Sequence, residues 1–282
     1  MLTAIRTSDS QKVIGNYIEK DHRSTYICEY CKKNVVHHKS EAAIKTGHFK
    51  HRTGESHCPN QTAETEYHLK TKLDIYSYIK NGWGNKLELI ELEKWICNNS
   101  IRPDVYIETK KSKIAIEVQA TILTVSEIKR RTEKYFDNGI YVLWILPYEF
   151  KRLYYVRYIR SHDDEYEPEV SYHDKVKLKE MEVFLYWAYF KKLFFWDLDH
   201  KYSEAFICVG LTEHKSSDTE FRRDGEDHYY YGKTAKTLKS VDWIRENIKF
   251  DQMSTSYGPE YEPPFRQYTI PSRKLFTFDK RR

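Results

Sequence analysis

Asp104, Glu117 and Gln119 stand within RPDVYIETKKSKIAIEVQA, residues 102–120, where alternate positions are apolar. A carboxylate inside such a run is costly if its face is buried, and two facing carboxylates repel each other. A divalent cation removes both costs. Mg²⁺ or Mn²⁺ takes one or two carboxylates, keeps several waters and binds phosphate oxygens as well. Asp104 and Glu117 are therefore the candidate ligands of a catalytic metal. Gln119 can orient a water by hydrogen bonds but has no proton to titrate. On these residues alone a second account stays open: Asp104 ends a strand beside Pro103, and Glu117 pairs with a nearby Lys or Arg.

Glu64, His68 and Lys72 recur at intervals of four, which on a helix places an acid, an imidazole and an amine on one stripe. Such a set suits phosphate-ester hydrolysis, with Glu64 holding the metal or its water and His68 moving a proton. A solvated helix face with an ordinary Glu–His pair has the same spacing.

A third set lies upstream. Cys28-x-x-Cys31 is a thiolate pair of the kind zinc uses, and His48, His51, His57 and Cys58 follow within thirty residues. Cys28, Cys31, His51 and Cys58 form the candidate tetrahedral zinc site. His48 stays open as a substitute for His51, because three residues apart on an extended segment they face opposite ways. A module this poor in apolar residues needs a staple, and a structural metal supplies one. Clustering of three of the five cysteines in residues 28–58 argues against a secreted disulfide framework.

These residues need elements to hold them. A helix is expected over 61–80, opened by Asn60 and closed at Asn81-Gly82; a strand over 86–96; and a hairpin of RPDVYIE with KIAIEVQA. With its loop at Lys110-Lys111, Val105 faces Ile116 and Ile107 faces Ile114, and the register sets Asp104 opposite Glu117. Thr124 with Glu127 opens a helix over 125–137, Asn138-Gly139 closes it, and IYVLWILP reads as a buried strand. The order is α-β-β-β-α-β. Further on, the run from Lys175 to Leu198 reads as helix, and AFICVGL and DHYYYGKTAKTL read as strands. Its aromatic stripe is expected to be core, with a stacking surface for single strands as the other reading.

The chain has 282 residues, 40% of them apolar and 32% charged, with a formal charge of +5. That is a folded composition, mildly basic, which permits a polyanion partner without demanding one. The longest apolar run, VFLYWAYF, is too short to span a bilayer, so a cytoplasmic protein with no membrane partner is expected.

CEYC, GHFKH, ETEYH with Lys72, RPDV, AIEVQ and the RRTEKY helix ahead of VLWIL occur in this order over residues 28–147. In that order they resemble the CoiA-like competence proteins, within the PD-(D/E)xK nuclease superfamily. The resemblance implies a restriction-endonuclease-like αβββαβ core in an α/β fold, with a zinc-binding module over 1–60, the core over 61–150 and an α+β region over 151–282. It implies a Mg²⁺- or Mn²⁺-dependent nuclease with structural Zn²⁺, acting on single- or double-stranded DNA alongside protein partners of an uptake or defence complex; a catalytically degenerate DNA-binding adaptor is the alternative. The usual strand lysine is Gln119 here, a glutamine the CoiA-like proteins share. Lys72, Lys129, Arg130, Arg131 and Lys134 are the candidate contacts to the nucleic-acid backbone.

Overall fold

A computed structural model describes residues 1–19, 23–39, 45–52, 58, 64–98, 100–148, 154–160, 166–172, 178–198, 205–213, 219–223, 226–230, 241–264 and 268–278. The expected cap Asn60 and the histidine His57 lie outside them. Five short strands open the chain: β1 (Thr3–Arg6), β2 (Lys12–Ile14), β3 (Tyr26–Ile27), β4 (Asn34–His38) and β5 (His48–His51). They form one antiparallel sheet in the order β2-β1-β3-β4-β5. Ala4, Val13, Tyr26, Val35 and Phe49 are its small apolar core, joined by Cys28 and Cys58.

Helix α1 (Glu66–Trp83) begins where the Thr65 hydroxyl accepts the His68 N–H at 3.2 Å. It stops at Gly84, whose φ of 35° the chain adopts at little cost only with glycine. Leu69, Leu73, Ile75, Tyr76 and Ile79 are buried along it, and the helix lies against β6 (Leu89–Leu92), β7 (Val105–Glu108) and β8 (Lys113–Val118). The β7–β8 hairpin pairs Val105 with Ile116 and Ile107 with Ile114, the register that side-chain parity requires. Helix α2 (Val125–Asp137) is capped by Thr124, whose hydroxyl accepts the Glu127 N–H, and is followed by Gly139 at φ 71°. Strand β9 (Tyr141–Pro147) then runs parallel to β8, with Val142 through Leu146 all buried. The α-β-β-β-α-β order is thus present in a mixed α/β chain.

The strands that follow are β10 (Tyr154–Arg160) and β11 (Tyr166–Tyr172), a hairpin on their own. The run expected as one long helix divides. Helix α3 (Glu180–Ala188) ends at Phe190 and Lys191, both in the left-handed region, and KLFFW becomes β12 (Lys192–Trp196). Consecutive aromatic residues suit a strand buried on both faces better than a further helical turn. β12 joins β9 in parallel, and β13 (Phe206–Glu213) continues the sheet. After the hairpin β14 (Thr219–Arg223) with β15 (Glu226–Tyr230), β16 (Val241–Asn247) adds to β13. β17 (Met253–Gly258) pairs with β18 (Arg273–Phe278), which also meets β9 at Val142. The result is a nine-stranded sheet that runs from the α-β-β-β-α-β segment into the later strands. No helix among the described residues is long and apolar enough to cross a membrane.

Arg273 ties this sheet to α3. It is fully buried; its Nε donates to the Ala188 carbonyl at 2.8 Å and its Nη1 to Pro259 and Pro271 at 2.9 and 3.2 Å. A methyl group on Gly258 would sit 2.6 Å from the Arg273 Cζ, and the guanidinium, held by three carbonyls, has no room to withdraw. Gly258→Ala is expected to cost about 1–3 kcal/mol, the usual penalty of overpacking, read as a lower guanidinium unfolding midpoint.

Candidate functional site

The end of β6, the bend before β7, the end of β8 and the first turns of α1 converge. Asp104 sits at that bend. Its carbonyl takes the Glu93 N–H at 3.1 Å, and its side-chain Oδ2 takes the Val118 N–H at 2.8 Å. A strand N–H points in the plane of its sheet, so the Asp104 carboxylate lies where β7 splays away from β8. From α1, His68 Nε2 reaches Asp104 Oδ2 at 3.2 Å, and His68 Nδ1 lies 3.8 Å from Glu64 Oε1.

Lys72, one turn further along α1, is fully buried. Its ammonium lies 2.5 Å from Glu64 Oε1, 2.5 Å from Glu93 Oε1 and 3.6 Å from Asp104 Oδ1. Expected as a contact to nucleic acid, it is instead the centre of an interior ion cluster. The other oxygen of Glu93 accepts the N–H groups of Leu2 and Thr3, at 2.9 and 3.3 Å, and the Thr3 hydroxyl at 3.3 Å. The Met1 amine lies 3.0 Å from Glu64 Oε2. The N-terminal strand therefore closes one wall of the cluster.

Charge pairing outweighs burial in this cluster. Burial works to raise the carboxylates, but Lys72 holds Glu64 below its usual value and Glu93 well below it. Burial likewise opposes ionisation of Asp104, yet His68, Lys72 and the Val118 N–H bring it below the usual carboxylate range. Burial pulls Lys72 down, and Glu93, Glu64 and Asp104 more than reverse this, so it stays protonated. A carboxyl depressed on folding contributes stability that is complete above its unfolded pKa and is lost as pH falls through its folded one. The stability contributed by these three acids is accordingly expected to persist above about pH 4 and to fall away below it. Urea unfolding of wild type and Glu93→Gln across that range checks this: the acid limb should be shallower in the variant.

Glu117 has other partners. It is 2% exposed, and its two oxygens are taken by the Tyr135 hydroxyl and the Arg131 guanidinium of α2. Burial, aided by the Asp104 charge, pushes its carboxyl up, while Arg131 and Tyr135 favour the ionised form. Arg131 also lies over the Trp144 ring, 4.9 Å from its centroid. The side-chain nitrogen of Gln119 donates to the Thr121 carbonyl and hydroxyl. Gln119 lines an open cleft with Thr121, Leu146, Lys179 and Glu182. Of the remaining basic residues on α2, Arg130 is exposed and paired with Glu127 at 2.6 Å, Lys129 lies 3.9 Å from Glu133, and Lys134 is in the last turn. Exposed pairs of this kind are weak enough to exchange for a phosphate.

Among the described residues, two groups of His, Cys, Asp and Glu place one donor atom each within 4.8 Å of one another. One is Glu64, His68 and Asp104; Glu117 belongs to neither. The other is Cys28, Cys31, His51 and Cys58. In that group Cys28 and Cys31 flank the turn between β3 and β4, where Lys32 takes φ 58° and its N–H reaches the Cys28 carbonyl at 3.0 Å. His51 directs Nε2 to the Cys31 sulfur at 3.8 Å, whereas His48 Nδ1 is on the Thr46 carbonyl at 2.7 Å and its ring stacks on His38. The four donors, three thiols and an imidazole, suit a tetrahedral metal. Burial pushes the Cys28 thiol up to about 11. The turn also carries Tyr30, tilted against Trp95 with ring centroids 4.6 Å apart, and the Arg102 guanidinium lies 5.4 Å from the Trp95 ring.

Sequence reading brought Glu64, His68 and Asp104 to notice, left open a Lys or Arg partner for Glu117, which is Arg131, and missed Glu93 and Tyr135. Glu93 looks like any outward residue of an alternating strand. Only its φ of 51° and the arrival of β1 turn it inward, and neither has a local signature.

A model of the family "Competence protein CoiA, nuclease-like domain" matches residues 64–220. Competence protein CoiA of Bacillus subtilis (strain 168) is 28% identical over 135 residues, covering 46% of this chain and 33% of that protein. The matched stretch thus spans about a third of the relative's length. No solved structure matches. The family match takes in the whole αβββαβ segment, with Glu64, His68, Asp104, Glu117 and Gln119 inside it, and extends over more than half of the residues. The chain belongs to the CoiA nuclease-like family.

Proposed function

We propose that the chain is a metal-dependent nuclease that hydrolyses DNA phosphodiester bonds. The observation that carries this is the convergence of Glu64, His68 and Asp104 on one point at the mouth of the β7–β8 splay. Two carboxylates and an imidazole fit a divalent ion, and the imidazole nitrogen favours Mn²⁺ over Mg²⁺. Bound there, the ion would supply an activated water and charge stabilisation for the phosphate. The chain's own residues do the rest. Asp104 is fixed by the Val118 N–H, so one ligand is held in place before any substrate arrives. His68 has a carboxylate near each ring nitrogen, which sets its orientation. Gln119, tethered through its nitrogen to Thr121, has its carbonyl oxygen left to orient a water in the adjoining cleft. Glu117, first read as a metal ligand, supports the site through Arg131 and Tyr135. Lys129, Arg130 and Lys134 are the proposed backbone contacts, and Zn²⁺ is the proposed occupant of the Cys28, Cys31, His51 and Cys58 group. The test is cleavage of single- and double-stranded DNA with Mn²⁺ and with Mg²⁺: activity is expected with both, at lower metal concentration for Mn²⁺. Absence of cleavage with either ion overturns the reading.

One observation favours a second reading, a DNA-binding adaptor. The strand lysine of the nuclease pattern is Gln119, and Glu117 is committed to an internal ion pair. Salt-sensitive DNA binding without cleavage would establish it.

A further inference from the structure

Lys72 is a buried lysine whose ammonium donates to Glu64 and Glu93 and lies 3.6 Å from Asp104. Of the three carboxylates around its ammonium, Glu64 and Asp104 are donors of the proposed metal site and Glu93 is not. Fully buried among three carboxylates, Lys72 has no surface from which to reach a phosphate or a leaving group. At the position where the nuclease pattern carries a strand lysine, Gln119 offers a neutral amide tied to Thr121. Glu93, 1% exposed, has one oxygen on Lys72 and the other on the backbone of β1.

We propose that Lys72 and Glu93 are a positioning pair for the metal site: Glu93, anchored to Leu2 and Thr3, fixes the Lys72 ammonium, which holds Glu64 and Asp104 at the separation a divalent ion requires. Without a cation between them, the two carboxylates repel and turn apart. The pair acts through the ligands and touches no substrate. It makes strand β1 of the N-terminal module part of the site. The inference rests on reading Glu64, His68 and Asp104 as metal donors.

Two effects compete when Lys72 is neutralised. Losing an ammonium beside the site removes repulsion of the metal and tightens binding; losing the positioning of two ligands weakens it. The sign of the change decides. Mn²⁺ alone is titrated into the full chain by calorimetry and by the electron paramagnetic resonance of the free ion, for wild type, Lys72→Met, Glu93→Gln and the double variant. Each single variant is expected to bind Mn²⁺ at least tenfold more weakly, and the double variant no more weakly than the weaker single one. Circular dichroism checks that each is folded. Should Lys72→Met fail to fold, Glu93→Gln, which keeps the shape and an acceptor oxygen for Leu2 and Thr3, decides the matter by the same tenfold criterion. Unchanged or tighter binding in the folded single variants overturns the proposal, as do additive losses in the double variant or no Mn²⁺ binding by wild type. Because the readout is affinity, a wild-type chain that binds Mn²⁺ but cuts no DNA fails as a nuclease, while the variant titrations still support or overturn the pair.

Discussion

Asp104→Asn is expected to reduce DNA cleavage about a thousandfold, the equivalent of about 4 kcal/mol of transition-state stabilisation. The substitution keeps the shape of the side chain. An amide oxygen in the place of Oδ2 still accepts the Val118 N–H, so the splay between β7 and β8 keeps its plug. The amide nitrogen then faces Lys72, where Oδ1 had been 3.6 Å from the ammonium. A donor against a donor is unfavourable, and the site loses a charged ligand at the same time. The hairpin itself rests on Val105, Ile107, Ile114 and Ile116, all buried, so the variant should fold. Glu117→Gln makes the informative contrast. It leaves a partly exposed Arg131 without its charged partner, and losing a charge-assisted hydrogen bond costs about 1.5–3 kcal/mol, so its main effect should be on stability. Cleavage measured per folded molecule separates the two acids. Wild-type activity in folded Asp104→Asn would remove the enzymatic reading altogether.

Stripping the zinc-type site should have a comparably large effect. The apolar core of the N-terminal module is Ala4, Val13, Tyr26, Val35 and Phe49, with two of the candidate ligands, Cys28 and Cys58, packed among them. A core that small does not hold five short strands by burial alone. A structural zinc contributes about 10–16 kcal/mol of apparent binding energy at neutral pH, which here is folding energy. Cys28, with its thiol pushed up to about 11 by burial, must lose its proton to bind, so zinc should be released as the solution is acidified. Elemental analysis is expected to find one zinc per chain. Cys28→Ser, or chelation followed by dialysis into Mn²⁺, should abolish hydrogen-exchange protection in β3, β4 and β5. Cleavage should fall with it, because the Leu2 and Thr3 amides then no longer hold Glu93. Full protection after zinc removal would show that the four donors are not a structural metal site.

What the sequence made legible was local. The hairpin register follows from parity once Val105, Ile107, Ile114 and Ile116 are placed on one face, and the start of α2 follows from a threonine three residues ahead of a glutamate. Asp104 and His68 were legible as chemistry. Their meeting was not, because it depends on where α1 packs on the sheet. Lys72 shows the limit best. On a stripe with Glu64 and His68 a lysine reads as solvent-facing, since burial of an amine is costly. Here three carboxylates from three separate elements offset that cost, and a long-range coincidence of this kind leaves no periodic trace. The division of the run after residue 178 into α3 and β12 was missed for a related reason: the aromatic residues look alike at helical and at strand spacing, and the break falls on Phe190 and Lys191, where no glycine announces it.

The pairing of β18 with β9 has a consequence for how the molecule is made. β9 is the inner strand beside β8, yet its neighbour at Val142 is Leu275, more than a hundred residues later in the chain. A ribosome will have released the whole αβββαβ segment before the partner for that edge exists. β12 can pair with the far end of β9 earlier, but the Val142 end has no partner on that side until the last strand arrives, so final closure of the sheet waits on the end of synthesis.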